Sequence, residues 1–415
     1  MRTADEANID AGEWAALDAQ IRTWWDRGMH TANEDDVAAD PTGTLLELPF
    51  PYITPCGAAA EEFPEMYAWD TYFINRGLLA HGRHEVVRGH IENQLYLIET
   101  YGMVLNGNRS YYLTRSQPPL SAASVQDYLS EVPDPELATR AIAALSREYR
   151  DYWCADHHST PIHLATNRDL GDPSLRIELA SEAETGQDFN ALYGGDIREY
   201  VPLMTNSILV EYANVLAWLH EKWGDPREAS VWRQESARRA KLINQYCWDT
   251  ATGLYREYNW KTGTQSERLG LTSVWPLWAG IATPSQAAQT VTHLRKWLHP
   301  CGLPTTPEEY PSPHPEWDTL QWNYPSVWPP EQLMVVETLA KYGLTEFARE
   351  IASQFLTAEL RRYELTGEFW ERYDASSVQV APPVERYETA PMHGWSTATF
   401  AVLGRFLFDG QNAAA

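Results

Sequence analysis

A net charge of −25 spread over 415 residues gives a surface that repels nucleic acid and anionic lipid, and leaves neutral or cationic small molecules as partners. Eighteen Trp and 22 Tyr stand out in a hydrophobic fraction of only 44%; such aromatics stack on sugar rings and hydrogen-bond at their polar edges, although a large helical core also uses them as filling. Four dispersed cysteines without a CxxC pair, no apolar run of 18 residues and no basic-then-apolar leader predict free thiols, no membrane span and a soluble cytoplasmic protein.

Helical periodicity starts at Trp14, Leu17, Ile21, Trp24 and Trp25. Residues 1–45 are expected as an N-terminal helical extension packed on a single catalytic domain that takes in the whole chain, 1–415. Apolar stripes recur at 71–100, 135–155 and 203–222, then at Val231, Ala237, Leu242, Ile243 and Tyr246. Further stripes cover 272–280, 285–298, 331–343, 345–362 and 394–408, with few alternating runs, so the chain reads as all-α. Between them lie four segments dense in Pro, Trp and Gly, at 42–66, 104–120, 299–330 and 378–395. These are too aromatic to be disordered and too long to be simple connectors, so they are expected to wall a site. Helical hairpins arranged around a ring, with the loops gathered at one end, accommodate the pattern.

Five motifs carry chemistry. "EEFPEMYAWDTYF" (61–73) alternates Phe63, Tyr67 and Trp69 with Glu65 and Asp70, a set suited to gripping hydroxyl pairs or, more simply, to starting a helix capped by Asp70. "NGNRSYYLTRSQPP" (106–119) packs planar donors and acceptors into a segment whose prolines exclude regular structure. "TGQDFNALYGGD" (185–196) sets Asp188 among aromatics, where a general acid would have its pKa raised and where an Asp also commonly caps a helix. "QWNYPSVWPPEQ" (321–332) holds Trp322 and Trp328 on a proline-fixed loop, and "EFWERYD" (368–374) sets Glu371 beside Trp370 and Tyr373. Each of the last two also reads as packing or as an exposed turn. The histidines of "CADHHSTPIH" (154–163) lack a second group at metal-ligand spacing, so no metal is expected.

Together these stretches resemble the trehalases of the glycoside hydrolase family 37 type: "FPEMYAWDTY" looks like the first signature, "NGNRSYYLTRSQPP" is nearly identical to the Asn/Arg/Gln loop, and "QWNYPSVWPP" is similar to the second signature. The resemblance runs from about residue 50 to 405 and implies an (α/α)6 barrel, a toroid of helical hairpins with long aromatic-rich loops at one end. It implies an inverting hydrolase of trehalose or a close α-glucoside, releasing glucose without metal or cofactor, as a monomer or small homo-oligomer. Asp188 would be the general acid and Glu371 the general base. Phe63, Tyr67, Trp69 and Asp70 would line the glucose subsite, Asn106, Arg115, Gln117 and Trp322 would grip hydroxyls, and Arg176 and Glu178 would match the family's Arg-x-Glu pair near the leaving sugar.

The sequence also departs from the pattern. Glu62 stands where the family has an Arg, Asn323 where it has an Asp, and "APPVERYETAPMHGW" replaces a Gly-rich lid, with Glu385 or Glu388 standing in for its acid and His393 for its aromatic. These changes keep open a smaller osmolyte such as glucosylglycerate or glucosylglycerol as substrate, and a silent carbohydrate-binding relative as the reading from another class. Glu62, if it reaches the pocket, is expected to disfavour an anionic leaving group.

Overall fold

The computed structural model describes residues 8–59, 63–318, 320–382 and 388–412. In chain order its helices are α1 (Ala11–Arg27), α2 (Glu34–Ala39), α3 (Ala68–Ala80), α4 (His84–Tyr101), α5 (Ser121–Glu131), α6 (Pro135–Glu148) and α7 (Ile177–Ala183). They continue as α8 (Leu203–Trp223), α9 (Pro226–Cys247), α10 (Trp275–Trp278), α11 (Pro284–Trp297), α12 (Pro329–Lys341), α13 (Thr345–Thr366) and α14 (Trp395–Asn412).

Helix starts are written locally. Asp10 and Glu13 form a capping box on α1, Thr283 and Gln286 another on α11, and Asp134 and Asp225 cap α6 and α9 just ahead of prolines. Composition then sorts helices into layers. Along α8 nearly every residue from Leu203 to Leu219 is buried, as a helix with core on all sides requires. By contrast α9 buries one stripe, Ala229, Trp232, Ser236, Arg239, Ile243 and Cys247, and shows a polar face to water.

Six helices close an inner ring, in which α3 packs on α5, α5 on α8, α8 on α10, α10 on α12, α12 on α14 and α14 back on α3. Outside it, α4, α6, α9 and α13 pack on the inner helices that precede them, and α1 lies against α14. This is the (α/α)6 barrel. Inner and outer partners are joined by turns of two or three residues, as between α3 and α4, α5 and α6, α8 and α9, and α12 and α13. The returns to the inner ring are long: 102–120, 149–202, 248–274, 298–328 and 367–394. Short turns therefore occupy one end of the toroid and long loops the other, above the N-termini of the inner helices.

Differences from the sequence reading have local causes. The stripe at 71–100 is broken into α3 and α4 by Gly82, whose φ of +71° ends a right-handed helix. The stripe at 135–155 leaves α-helical geometry at Glu148 and widens into a π turn over Tyr149–Trp153. Helix α5 is rich in small residues and carries no long apolar stripe, so periodicity does not predict it.

Candidate active site

A cavity of about 480 Å³ opens at the long-loop end. Its walls come from the approach to α3 (Phe63, Tyr67, Trp69, Asp70), the 106–117 loop, the segment from Asp172 to Phe189, the approach to α12 (Gln321, Trp322, Trp328), and Glu371, Met392 and Trp395. Ten of the expected residues are thus brought together: Asp188, Glu371, Phe63, Tyr67, Trp69, Asp70, Asn106, Arg115, Gln117 and Trp322.

Aromatic planes form the floor. Trp322 and Trp328 stack at 3.8 Å with an interplanar angle of 5°, and Trp69 and Trp395 lie at 5.7 and 5.9 Å from them respectively, tilted or edge-on. Phe63 meets Tyr67 edge-on, and the Tyr67 and Tyr112 hydroxyls are 3.2 Å apart. Gly186 is required beside this floor: its φ is +69°, and a Cβ there would stand 2.7 Å from Trp69 Cε2.

The 106–119 loop is braced from below. Asn106 donates both amide hydrogens to backbone, at Ser116 O (3.3 Å) and Ala183 O (3.2 Å), which leaves its Oδ1 for a ligand. The N–H of Trp69 donates to Gln117 Oε1 at 3.1 Å. Arg115 lies under the Tyr112 ring and donates to Asp172 at 2.6 Å and Asp169 at 3.2 Å. It is the one cation among the described residues lining the cavity, and two aspartates already hold it.

The two expected acids arrive on loops tied to this floor. Gln321 donates to the Asp188 carbonyl at 3.0 Å, the Ala191 N–H donates to the Trp322 carbonyl, and the Trp322 N–H donates to that of Phe189. The Glu371 N–H donates to Ala390 O, and its carboxylate lies 3.5 Å from buried Arg372, which stacks over Trp328. Burial first, and then the charges of Glu371 and Asp188, push the Asp70 carboxyl up to about 8. The charges of Glu371 and Asp188 thus reach Asp70 across this cavity, and the shift favours its protonated form at neutral pH.

Several expected residues lie elsewhere. Leu179 and Ala183, four apart, present one face of α7 to the cavity, and Leu175 lines it from just before the helix. Glu178, one step from that face, pairs instead with Arg198 at 2.7 Å, and Arg176, half-exposed, reaches Glu316 at 3.3 Å. His393 sits between two cavity residues in sequence but stacks on Trp24 at 4.6 Å and bonds Glu368 at 2.7 Å, away from the cavity. Glu62 and Glu385 lie outside the described residues; Glu388 is exposed. Of the 154–163 histidines, His158 is buried and bonds Glu184 at 2.9 Å and the Tyr152 carbonyl at 3.0 Å, and His163 is exposed. Lining residues that sequence reasoning left unassigned include Tyr111, Tyr112, Asp172, Gln321, Trp328 and Trp395.

Burial has a consequence for stability. Glu148 and Glu257 are pushed up to about 7, and Glu182, Glu331 and Asp70 to about 8, in every case chiefly by burial. An acid whose pKa is raised on folding leaves the native state holding more protons than the unfolded chain, so stability falls as pH climbs from about 4 to its folded value. Burial also lowers His90 to about 3 and His157 to about 4, which works in the opposite direction but only below about pH 6.5. Melting temperature is therefore expected to fall between about pH 6.5 and 8. A calorimetric series showing it level or rising over that window contradicts these assignments.

The model of the Trehalase family matches residues 6–172 and 178–404. The gap between the two matched stretches, 173–177, includes Arg176. Among curated proteins the chain is 30% identical to the periplasmic trehalase of Pseudomonas aeruginosa, covering 88% of this chain and 73% of that one. It is 26% identical to the trehalase of Homo sapiens (93% and 73%), and 28% identical to the cytosolic neutral trehalase of Kluyveromyces lactis (81% and 52%). Of solved structures, the neutral trehalase Nth1 from Saccharomyces cerevisiae superimposes with a TM-score of 0.81 at 22% identity, covering 97% and 96%. A GH63 mannosylglycerate hydrolase from Thermus thermophilus gives 0.65 at 17%, covering 93% and 99%.

Proposed function

The chain belongs to the trehalase family, and on that premise we propose that this cavity hydrolyses trehalose, or a closely related neutral α-glucoside, with inversion. The glucose ring lies on the Trp69/Trp322/Trp328/Trp395 floor, and its hydroxyls meet Asp70, Asn106 Oδ1, Gln117 and the Arg115 edge. Asp188 protonates the glycosidic oxygen as the bond to the anomeric carbon breaks. Glu371 takes a proton from the water that attacks that carbon from the opposite face. Asp70, its carboxyl pushed up to about 8, donates to a ring hydroxyl and adds no negative charge to that of Glu371. The observation that carries this reading is that Asp188 and Glu371, from distant parts of the chain, line one cavity and both bear on Asp70. Free thiols at Cys154, Cys247 and Cys301, the last two of them buried, support a reducing compartment, the cytoplasm.

The same geometry supports a neutral leaving group. With Arg115 held by Asp169 and Asp172, an anionic leaving group would meet Asp172 and Glu371 with no other cation among the described lining residues. In a panel of α-glucosides read for released glucose, kcat/KM on trehalose is expected to exceed that on glucosylglycerate by about tenfold or more, a difference of about 1.4 kcal/mol. The reverse ranking overturns the substrate assignment and leaves the acid and base in place. Binding without release from any member of the panel overturns the hydrolase reading itself.

A further inference from the structure

Asp188 stands between two apolar bodies of different chemistry. Gly186, two residues before it, abuts Trp69 in the floor, and around that floor stand the buried polar groups Asp70, Asn106, Arg115 and Gln117. Phe189, one residue after it, packs instead in a separate cluster with Leu179, Ala191 and Leu320 and meets Trp317 edge-on at 4.7 Å. Leu179 and Phe189 line the cavity from this second cluster, and half-buried Leu175 and exposed Tyr111 line it nearer to solvent. The polar side chains of the same stretch are engaged elsewhere. Arg176 pairs with Glu316 and Glu178 with Arg198, while Ser174 donates to Asp172 at 2.6 Å, which also accepts from Arg115.

Exposed apolar side chains gather at the same place. Tyr111, Leu113 and Leu170 are 43%, 41% and 55% exposed, and the Leu170 N–H donates at 2.9 Å to the carbonyl of Thr114, the residue after Leu113. Single exposed leucines are ordinary, but three large apolar groups on two bonded segments beside a cavity mark a binding face. We propose, resting on the reading of Asp188 as acid and Glu371 as base, that Leu175, Leu179, Phe189 and Tyr111 seat an apolar leaving group, and that the chain also hydrolyses α-glucosides of small alkyl alcohols. Position gives the reason. The leaving group departs on the oxygen that Asp188 protonates, so it lies beside Asp188 and away from the hydroxyl grips of the glucose side. The bond from the anomeric carbon to that oxygen breaks, and the alcohol leaves with the Asp188 proton. The carbon takes the hydroxyl of the water whose other proton passes to Glu371, so the products are glucose and the free alcohol. An alkyl chain against this wall removes apolar surface from water on both partners and needs no hydrogen bond.

The test is kcat/KM of the full chain on methyl, butyl and hexyl α-glucoside beside trehalose, read as glucose released. The three alcohols are of similar acidity, so the series reports contact with the wall rather than ease of departure. Hexyl is expected to exceed methyl by about tenfold or more, the effect of burying about two methylenes. In Leu175→Ser and Leu179→Asn that ratio is expected to fall toward one. Each ratio is taken within a single protein, so changes in the acid or in the folded fraction cancel. Leu175 is half-buried and precedes α7, so Leu175→Ser remains a test should Leu179→Asn not fold. With trehalose turned over, an inert, flat or falling alkyl series, or an unchanged ratio in a folded variant, overturns the apolar seat and leaves the hydrolase standing. Release from neither trehalose nor any alkyl glucoside overturns the hydrolase reading itself, and the seat with it. Asp188→Asn is expected to lose both activities. Loss on trehalose alone places alkyl hydrolysis at another site and overturns the proposal, whereas loss of neither overturns the reading of Asp188 as the acid.

Discussion

Asp188→Asn and Glu371→Gln are each expected to lower turnover of trehalose by about 10²–10⁴-fold while the protein remains folded, the size of effect that a positioned general acid or base usually has. Both substitutions preserve shape. The backbone of residue 188 is held by Gln321 donating to its carbonyl, and that of residue 371 by its own N–H donating to Ala390, and these backbone anchors remain in both variants. Removing Glu371 also takes one negative charge away from Asp70, whose carboxyl is pushed up to about 8 by burial and by its two acidic neighbours. Against that, Glu371→Gln removes the carboxylate 3.5 Å from buried Arg372, so a loss of melting temperature short of unfolding is expected alongside the loss of turnover. Steady-state rates with circular dichroism check this, and turnover within about tenfold of the parent in either variant removes that residue from its role.

Arg115 is expected to show two separable effects. Arg115→Ala leaves Asp169 and Asp172 facing each other in a buried place, and breaking a buried ion pair from one side costs about 3–5 kcal/mol. Burial pushes the Asp172 carboxyl up, and the bonds from Arg115 and Ser174 more than offset this and hold it below the usual range; with Arg115 gone, Asp172 should rise above that range and bind a proton more readily. Arg115→Lys retains the charge but loses the planar fork and its seat under Tyr112. Its stability falls less, whereas kcat/KM falls by the equivalent of about 1–3 kcal/mol, the value of a charged hydrogen bond left unmade. Thermal melts set against kcat/KM distinguish the two. If Arg115→Ala melts with the parent, Arg115 does not hold the loop.

Much of the fold was legible because inner and outer helices differ in pattern: α9 announces one buried stripe, and α8 is apolar enough to be surrounded. The small-residue helix α5 was not, since Ser121, Ala122, Ala123 and Ser124 are buried by what packs on them rather than by their own hydrophobicity. The site was legible where motifs are dense. Planar groups in 106–119 and the aromatics of 63–70 and 321–328 meet in one cavity, and so do Asp188 and Glu371. It was misread where one residue of helical phase or loop register decides direction. Leu179 faces the cavity and Glu178 does not; Met392 and Trp395 do and His393 does not. Asp172, in "GDPS", looks like a turn residue and in fact holds the cavity's arginine, while Glu182 looks like a solvated helix acid and is buried under the 186–190 loop. Nothing in local sequence marks either, because both roles depend on segments far away in the chain.

Inversion by Asp188 and Glu371 is tested most directly by proton NMR of the sugars formed in the first moments of trehalose hydrolysis, before mutarotation mixes the anomers. Attack from the face opposite the departing oxygen turns one glucose into the β-anomer, while the leaving glucose keeps its α-configuration. The account predicts β- and α-glucose appearing together in equal amounts. Only α-glucose at early times would mean retention at the attacked carbon, and would contradict the assignment of Glu371 as a base acting through water.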